Sequence, residues 1–141
     1  MVFSLFNRIF AGVMRQTEHQ ILISLASNED QEAHLAAARE QLTQLLTECH
    51  FTSAIWTEPI GHSSMFNGQC SKYLNQLCQG TTALGEGLLC EVMKEIEKRL
   101  GRTRNEDGIV AIDLDLLQYD ERKHHLRDWE RNYVKNLLNE L

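Results

Sequence analysis

Two aspartates separated by a single leucine form the sequence feature with the clearest chemical potential. Asp113 and Asp115 lie in a run from Ile112 to Leu117 in which apolar residues alternate with carboxylates. Alternate side chains of a strand face opposite sides, so this pattern predicts both carboxylates on one face. Residues two apart on a strand lie about 6–7 Å apart at the backbone, which is close enough for both carboxylates to hold Mg2+. Mg2+ prefers oxygen ligands and keeps positions open for phosphates. The apolar row on the opposite face would enter the core: Ile112, Leu114 and Leu116.

The surroundings of the two aspartates favour a magnesium site without excluding a simpler interpretation. Arg102 and Arg104 lie in a charged loop just before the run, and Pro59 and Gly61 open a polar loop that continues to Ser71. Cations are also common at helix ends, and an antiparallel strand often carries a solvated face. Both a metal site and a solvated strand therefore remain open at this point.

The first half of the chain has the pattern of strand, helix and strand. Ile21 to Leu25 is a short apolar run rich in β-branched residues, and Ser27 followed three positions later by Asp30 is a helix-start signal. Phe51 to Trp56 is strand-like again. Apolar residues at steps of three and four define the face of the intervening helix: Leu35, Ala38, Leu42, Leu45 and Cys49.

The second half repeats this order with a second helix. Tyr73 to Cys78 has the composition of a strand that ends at Gly80, and Val110 to Tyr119 has that of another. The helix between them would end at Gly101, because glycine is favoured just past a helix C terminus. Its apolar face would contain Leu84, Leu88, Val92, Ile96 and Leu100. Helical spacing returns in the tail at Trp129, Tyr133, Leu137 and Leu141.

The element order predicts an α+β fold of the ferredoxin-like βαββαβ class, an antiparallel sheet with helices packed on it. The 141 residues suit a single domain with a substantial core. We expect an N-terminal extension over residues 1–20 with helical character, which could support an oligomer, and a domain over residues 21–141. The extension is alternatively a non-native addition.

Charge and cysteine usage exclude several classes of protein. The formal net charge of -6 argues against nucleic-acid binding through a broad basic surface. Asn7 and Arg8 interrupt the apolar start, so it is neither a membrane span nor a clean signal peptide. The four cysteines form no Cys-x-x-Cys pair, which favours reduced thiols in a cytoplasmic protein: Cys49, Cys70, Cys78 and Cys90.

The order of the polar landmarks makes the chain similar to a known family. The landmarks are Ser27-Asn28, Thr57-x-Pro59-Ile60-Gly61, Tyr73-Leu74-Asn75, Ile96-Glu97, Gly101-Arg102 and Asp113-Leu114-Asp115. Through them the chain, from about Ile21 to Leu141, resembles the 6-hydroxymethyl-7,8-dihydropterin pyrophosphokinases, transferases of folate biosynthesis. The resemblance implies a ferredoxin-like domain that moves diphosphate from ATP to the pterin hydroxymethyl group, with two Mg2+ ions.

The resemblance also implies a role for each matching position. Asp113 and Asp115 would hold the metal ions, and Arg102 would be catalytic. The positions on the ATP side are Lys94, Glu97, Arg102, His125 and Arg131. The positions on the pterin side are Thr57, Ile60, Tyr73, Asn75 and Tyr133.

Each of these residues also has a structural interpretation. Tyr73 and Tyr133 could be core aromatics, and His125, which follows another histidine, could be solvated. Val110 stands where the family has a second catalytic arginine, in a loop that is shorter than the family's. The sequence therefore leaves three alternatives: an active but slow pyrophosphokinase, a catalytically impaired descendant that binds pterin or nucleotide, and an unrelated ferredoxin-like interaction domain.

Overall fold

The computed structural model describes residues 18–59, 65–66, 69–102 and 108–141. The strands are β1 His19–Ser27, β2 Glu48–Phe51, β3 Ile55–Thr57, β4 Met65–Phe66, β5 Gln69–Cys70, β6 Tyr73–Thr82, β7 Asp113–Tyr119 and β8 Arg122–Lys123. The helices are α1 Gln31–Leu45, α2 Glu86–Arg99, α3 Leu126–Trp129 and α4 Asn132–Leu138.

Six strands form one antiparallel sheet in the order β2-β6-β1-β7-β8, with β3 paired beside β2 along the same side of β6. The short strands β4 and β5 pair with each other. The α+β architecture with an antiparallel sheet and packed helices is confirmed. Within the described residues, no helix has the length and apolar character needed to cross a membrane. The expected N-terminal extension falls mostly on residues 1–17, outside the described part, and β1 already begins at His19.

Each face of the sheet is covered by different elements. The long helices α1 and α2 contribute to the larger core cluster, which includes Ile23 and Leu25 of β1. The opposite face packs a smaller cluster against the C-terminal segment: Leu22, Leu77, Leu117, Val134 and Leu137. The alternation along β1 thus serves two cores, since neighbouring side chains of a strand enter opposite layers.

The buried face of α2 is only partly the one that the sequence predicts. Ile96 is buried and Val92 packs against the larger core as expected, but Leu89 and Met93 are also buried and Leu88 is 52% exposed. Leu84 and Leu100 pack against the same core just outside the bounds of the helix. A strict four-residue step advances about 400° around a helix, so such a row winds away from one face, whereas mixed steps of three and four remain on it. The first helix shows the expected buried face at Leu35, Ala38 and Leu42, but it ends at Leu45, so Cys49 belongs to β2.

The middle strands begin and end at different residues from those that the sequence predicts. The predicted Phe51–Trp56 strand is divided into β2 and β3, and the break begins at Thr52. The Thr52 N–H donates to the Leu77 carbonyl, and the Thr52 hydroxyl accepts from the Leu77 N–H. The strand predicted to end at Gly80 continues to Thr82. Gly80 is required inside it because a Cβ there would lie 2.3 Å from the Glu48 carbonyl oxygen of β2.

Ser27 does not cap the first helix as the sequence predicts. The Ser27 hydroxyl donates to the Glu29 carbonyl at 2.9 Å, and α1 begins only at Gln31. Asp30 is the N-cap residue, in a left-handed conformation and without a side-chain capping bond. The last long strand also starts later than predicted, at Asp113 and not at Val110.

Candidate active site

The two aspartates lie on β7 as the alternation predicts. Ile112 and Leu114 are buried in the larger core, whereas the Asp113 and Asp115 side chains remain 34% and 29% exposed on the other side. Among the described strands, β8 alone pairs with β7 on the side away from β1, and it reaches only Gln118 and Tyr119. The carboxylates are therefore placed beside an open strand edge, where a ligand can reach them.

The register of the sheet places other polar side chains on the face that carries the aspartates. Asn75 pairs with Ala26, and Ala26 pairs with Asp113, so these three residues form one row across three strands. Directly opposed residues share a face, and two strand spacings separate the outer members of the row by about 10 Å. The next row contains Asp115 opposite Ser24. The small side chains of the central strand leave room above the sheet between Asn75 and the aspartates.

Thr57 and Asn75 are joined at one end of this face. The Asn75 side-chain amide donates to Thr57 Oγ1 at 2.8 Å and to the Ile55 carbonyl at 3.1 Å. Thr57 pairs with Tyr73 in the register of β3 and β6. These bonds fix a neutral polar group at the side of the sheet away from β7, and they bring together three of the residues predicted to bind pterin.

The two predicted tyrosines lie within electrostatic reach of the aspartates. Burial raises the pKa of Tyr73, and Asp113 raises it further. Burial likewise raises the pKa of Tyr133, with added contributions from Asp128 and Asp115. Tyr133 also packs against the smaller core cluster, as the alternative of a core aromatic predicts.

A helix-ending turn positions the predicted catalytic arginine. Gly101 has φ 99°, its N–H bonds the Lys98 carbonyl, and the Arg102 N–H bonds the Glu97 carbonyl, which together form a Schellman motif. This turn directs the Arg102 guanidinium back to the Glu97 carboxylate at 2.9 Å and across to Asp113 at 2.6 Å. Although burial lowers it, contacts with both carboxylates raise the pKa of Arg102, which keeps the guanidinium charged.

Glu97 joins this cluster to the backbone of β7. Its Oε2 accepts from the Leu114 N–H at 2.7 Å, which satisfies an amide on the open edge of the strand. Burial raises the pKa of Glu97, and the bonds from Leu114 and Arg102 oppose that effect. Glu97 thus holds both the arginine and the strand that carries the aspartates.

A cavity of about 1030 Å³ opens between α2 and the edge of β7. Its apolar lining includes Met93 and Leu116, and its charged lining combines cations with the aspartates. The structure brings four of the predicted ATP-side residues to this cavity, together with both aspartates: Lys94, Glu97, Arg102 and His125. A mixed apolar and charged lining of this volume suits a ligand with both an aromatic part and phosphates.

A third carboxylate near Asp115 was missed by the sequence analysis. One ligand atom from each of Asp115, His125 and Asp128 lies within 4.8 Å of the others. Arg131, predicted to be on the ATP side, bonds Asp128 Oδ1 through its Nε at 2.9 Å. Asp128 is separated from Asp115 by the β8 turn and lies on a short helix, so its sequence neighbours gave no signal of this proximity.

The far end of the cavity contains a second group that sequence reasoning missed. Glu86, the first residue of α2, forms an ion pair with Arg122 at 3.1 Å and is hydrogen-bonded to His124. Both Glu86 and His124 line the cavity. The two residues are 38 positions apart, so no local pattern of the sequence indicated their contact.

Ile60, predicted to contact the pterin edge, lies outside the described residues, as does Arg104. Val110, at the place of the family's second catalytic arginine, is buried at 8% exposure. Its backbone is held by Asn28, whose Oδ1 accepts from the Val110 N–H at 2.6 Å and whose own N–H donates to the Val110 carbonyl at 3.0 Å.

Comparison with known proteins identifies the family of the chain. The family model of 7,8-dihydro-6-hydroxymethylpterin-pyrophosphokinase matches residues 22–141, and the chain belongs to that family. It is 29% identical over 139 residues to "Folate synthesis bifunctional protein, mitochondrial" of Arabidopsis thaliana, an alignment that covers 86% of this chain and 23% of the relative. It is 28% identical over 137 residues to "Folate synthesis bifunctional protein" of the same plant, with 89% and 27% covered. The chain thus spans about a quarter of the length of these curated relatives.

The side chains around β7 fit the divalent cation that this family uses. The donors are carboxylate oxygens, which Mg2+ prefers. The pKa of Asp115 is raised to about 7, because the carboxyl is largely buried and because Asp113, Asp128 and Glu97 lie near it. A cation between Asp113 and Asp115 would neutralise this concentration of negative charge.

Proposed function

We propose that the chain transfers diphosphate from ATP to 6-hydroxymethyl-7,8-dihydropterin. The observation that carries the proposal is the placement of the aspartate pair between two different environments. On one side lies the cavity with its arginine, lysine and histidine, and on the other lies the neutral Thr57–Asn75 group on the same sheet face. The family match supports the same activity.

The nucleotide would occupy the cavity between α2 and β7. Asp113 and Asp115 would hold Mg2+, which we take to be two ions, beside its phosphates. Lys94 and Arg102 would supply positive charge there, and His125 would offer a hydrogen bond. Met93 and Leu116 offer an apolar surface suitable for the base. Arg131 would contact the phosphates only by turning from its ion pair with Asp128.

The pterin would lie on the sheet face between Asn75 and Asp113. A flat heteroaromatic ring needs a stacking surface and polar groups at its edge, which Tyr133 with Tyr73, and Thr57 with Asn75, would provide. Ala26, the central residue of the row, is small enough to leave room for the ring. This orientation directs the hydroxymethyl group towards the aspartates.

The reaction is a displacement at the β-phosphorus of ATP. The pterin hydroxymethyl oxygen forms a bond to that phosphorus, the bond between it and the oxygen bridging to the α-phosphorus breaks, and AMP leaves. The hydroxyl proton is lost to solvent. Bound Mg2+ would neutralise phosphate charge, and Arg102 would stabilise the charge that moves to the leaving oxygen. Arg102 must then loosen its contact with Asp113 as the aspartate engages the metal.

A second candidate function is a pterin- or nucleotide-binding module without turnover. The buried position of Val110 favours it, because that position contributes no cation to the cavity. Electrostatic groups that meet developing charge are commonly worth about a hundredfold or more in rate. On the first proposal we therefore expect transfer that is measurable but slow.

One assay separates the two candidates. Purified protein is incubated with ATP, Mg2+ and 6-hydroxymethyl-7,8-dihydropterin, and AMP is measured with each component omitted in turn. The proposal predicts AMP that requires both Mg2+ and pterin. No AMP above background, with calorimetry still showing binding of ATP or pterin, would replace the enzyme with the binding module.

A further inference from the structure

Two cysteine side chains are in contact at the edge of the sheet farthest from β7. Cys49 Sγ lies 3.3 Å from Cys78 Sγ. Cys49 is half-buried on the edge strand β2, whereas Cys78 is buried in the larger core. Both are free thiols. Neither takes part in the proposed transfer, so their proximity needs a separate explanation.

The packing around Gly80 explains how the two thiols meet. Cys49 pairs with Gly80, and Cys78 lies two residues before Gly80 on the same face of β6. The missing side chain of Gly80 lets the Glu48 carbonyl approach to 2.3 Å from where its Cβ would be. The close approach of β2 to β6 brings Cys49 diagonally over Cys78.

We propose that Cys49 and Cys78 form an oxidisable dithiol that a hydroperoxide converts into a disulfide. A disulfide requires the sulfurs at about 2.05 Å, so closure needs a movement of about 1.3 Å from the present distance. Among the strands that the structure describes, β2 is at the end of the sheet and pairs with β6 alone, so it can make this adjustment without breaking a second ladder.

The chemistry divides the roles between the two sulfurs. The Cys49 thiolate attacks one peroxide oxygen, the O–O bond breaks, and the products are Cys49 sulfenic acid and hydroxide or alkoxide. The Cys78 sulfur then attacks the Cys49 sulfur, and the Cys78 proton leaves with the sulfenic hydroxyl as water. The peroxide is reduced and the two thiols are oxidised by two electrons.

The environments of the sulfurs support this order. Burial raises the pKa of the Cys78 thiol, and its hydrogen bond with Cys49 raises it further, so Cys78 is a poor first target for the oxidant. Cys49 is the more accessible of the two. Cys90 is also half-buried and burial raises its pKa, but among the described residues no hydrogen bond joins it to a second cysteine.

Closure of the disulfide would link β2 to β6 across a loop of about 30 residues. A cross-link of that length restricts the unfolded chain, and in a domain of this size it should raise the melting temperature by roughly 10 °C. A thiol reductant should reverse the change.

The experiment treats the whole wild-type chain with hydrogen peroxide, blocks free thiols by alkylation, and maps peptides by mass spectrometry. We expect one Cys49–Cys78 linked peptide that disappears on reduction, and a melting temperature that rises before reduction and returns after it. The proposal is overturned if Cys49 proceeds to sulfinic acid while Cys78 stays free. It is equally overturned if both stay free while Cys90 reacts.

Matched variants test the pairing independently. In the double variant Cys70→Ser with Cys90→Ser, only the proposed pair remains, and peroxide should still consume both thiols together. Adding Cys49→Ser, at the half-exposed position, should remove the melting-temperature shift and leave Cys78 reduced. If the triple variant folds poorly, Cys49→Ala instead of Cys49→Ser in the same background gives the same test. A shift that persists without Cys49 would contradict the proposal.

Discussion

The two sides of the candidate site are held together by different forces. Beside β7, Arg102, Glu97 and Asp113 form a charged cluster that borders a large cavity. Beside β3, Thr57 and Asn75 are linked by neutral hydrogen bonds. Charged groups in a partly buried cleft suit phosphates and metal, whereas neutral amide and hydroxyl groups suit the edge of an uncharged ring. Changes on the β7 side should therefore affect turnover, and changes on the β3 side should affect pterin affinity.

The largest effect is expected at the aspartates. Asp113→Ala or Asp115→Asn should lower AMP formation by roughly a thousandfold or more, because the metal-binding carboxylate is lost. Initial rates at saturating Mg2+ give the measurement. Asp120→Asn is the matched control, since Asp120 is an exposed aspartate of the same hairpin and pairs with His19. An Asp115→Asn variant as active as the Asp120 control would remove the metal site from the mechanism.

Arg102 is expected to have the next largest effect. Arg102→Met keeps much of the side-chain volume but removes the cation, so the turnover number should fall about a hundredfold with a smaller change in the pterin KM. Steady-state kinetics in both substrates separates the two parameters. Arg99→Met is the control, since Arg99 is exposed at the end of the same helix. A loss confined to KM would assign Arg102 to ground-state binding alone.

On the β3 side, the effect should be moderate and specific to pterin. Thr57→Val removes the hydroxyl that accepts a hydrogen bond from Asn75. It should weaken pterin binding about tenfold, which is the loss of affinity expected when one or two hydrogen bonds are removed. Calorimetry with a pterin analogue and, separately, an ATP analogue provides the readout. Thr47→Val, which removes a comparable hydroxyl bonded to Thr81, is the control. Equal weakening of both ligands by Thr57→Val would contradict the division between the two sides.

The smallest expected effect is on stability. The pKa of Asp115 in the folded protein, about 7, lies above its ordinary value. Between about pH 4 and 7 the folded state therefore keeps a proton on Asp115 that the unfolded state has lost. As pH rises from about 4 through 7, metal-free protein should lose stability on the order of 1 kcal/mol after allowance for solvent screening, or a few degrees in melting temperature.

The Asp115→Asn variant isolates this contribution from those of other titrating groups. Its melting temperature should exceed that of the metal-free wild type at pH 8, and the difference should shrink towards pH 4. Differential scanning fluorimetry in the presence of a chelator would measure both. A pH-independent difference would show that Asp115 is not the titrating group.

The sequence predicts local features of the site better than distant ones. The alternation around Asp113 and the glycine that ends α2 are local, and both are confirmed in the structure. The proximity of Asp128 to Asp115 depends on how the β8 turn and α3 fold back over the sheet, which no spacing rule contains. The buried face of α2 was predicted only in part, with Leu88 exposed and Leu89 and Met93 buried, since several apolar rows compete and tertiary packing selects one.

In the proposed reaction, the pterin hydroxyl attacks the β-phosphorus of ATP. Phosphorus NMR of the wild-type reaction with ATP, Mg2+ and 6-hydroxymethyl-7,8-dihydropterin tests this step, because it identifies the group that is transferred. We expect equal amounts of AMP and a pterin diphosphate, and neither above background over the same time with Asp115→Asn. Formation of ADP with a pterin monophosphate, or of AMP and pyrophosphate without a pterin product, would contradict it.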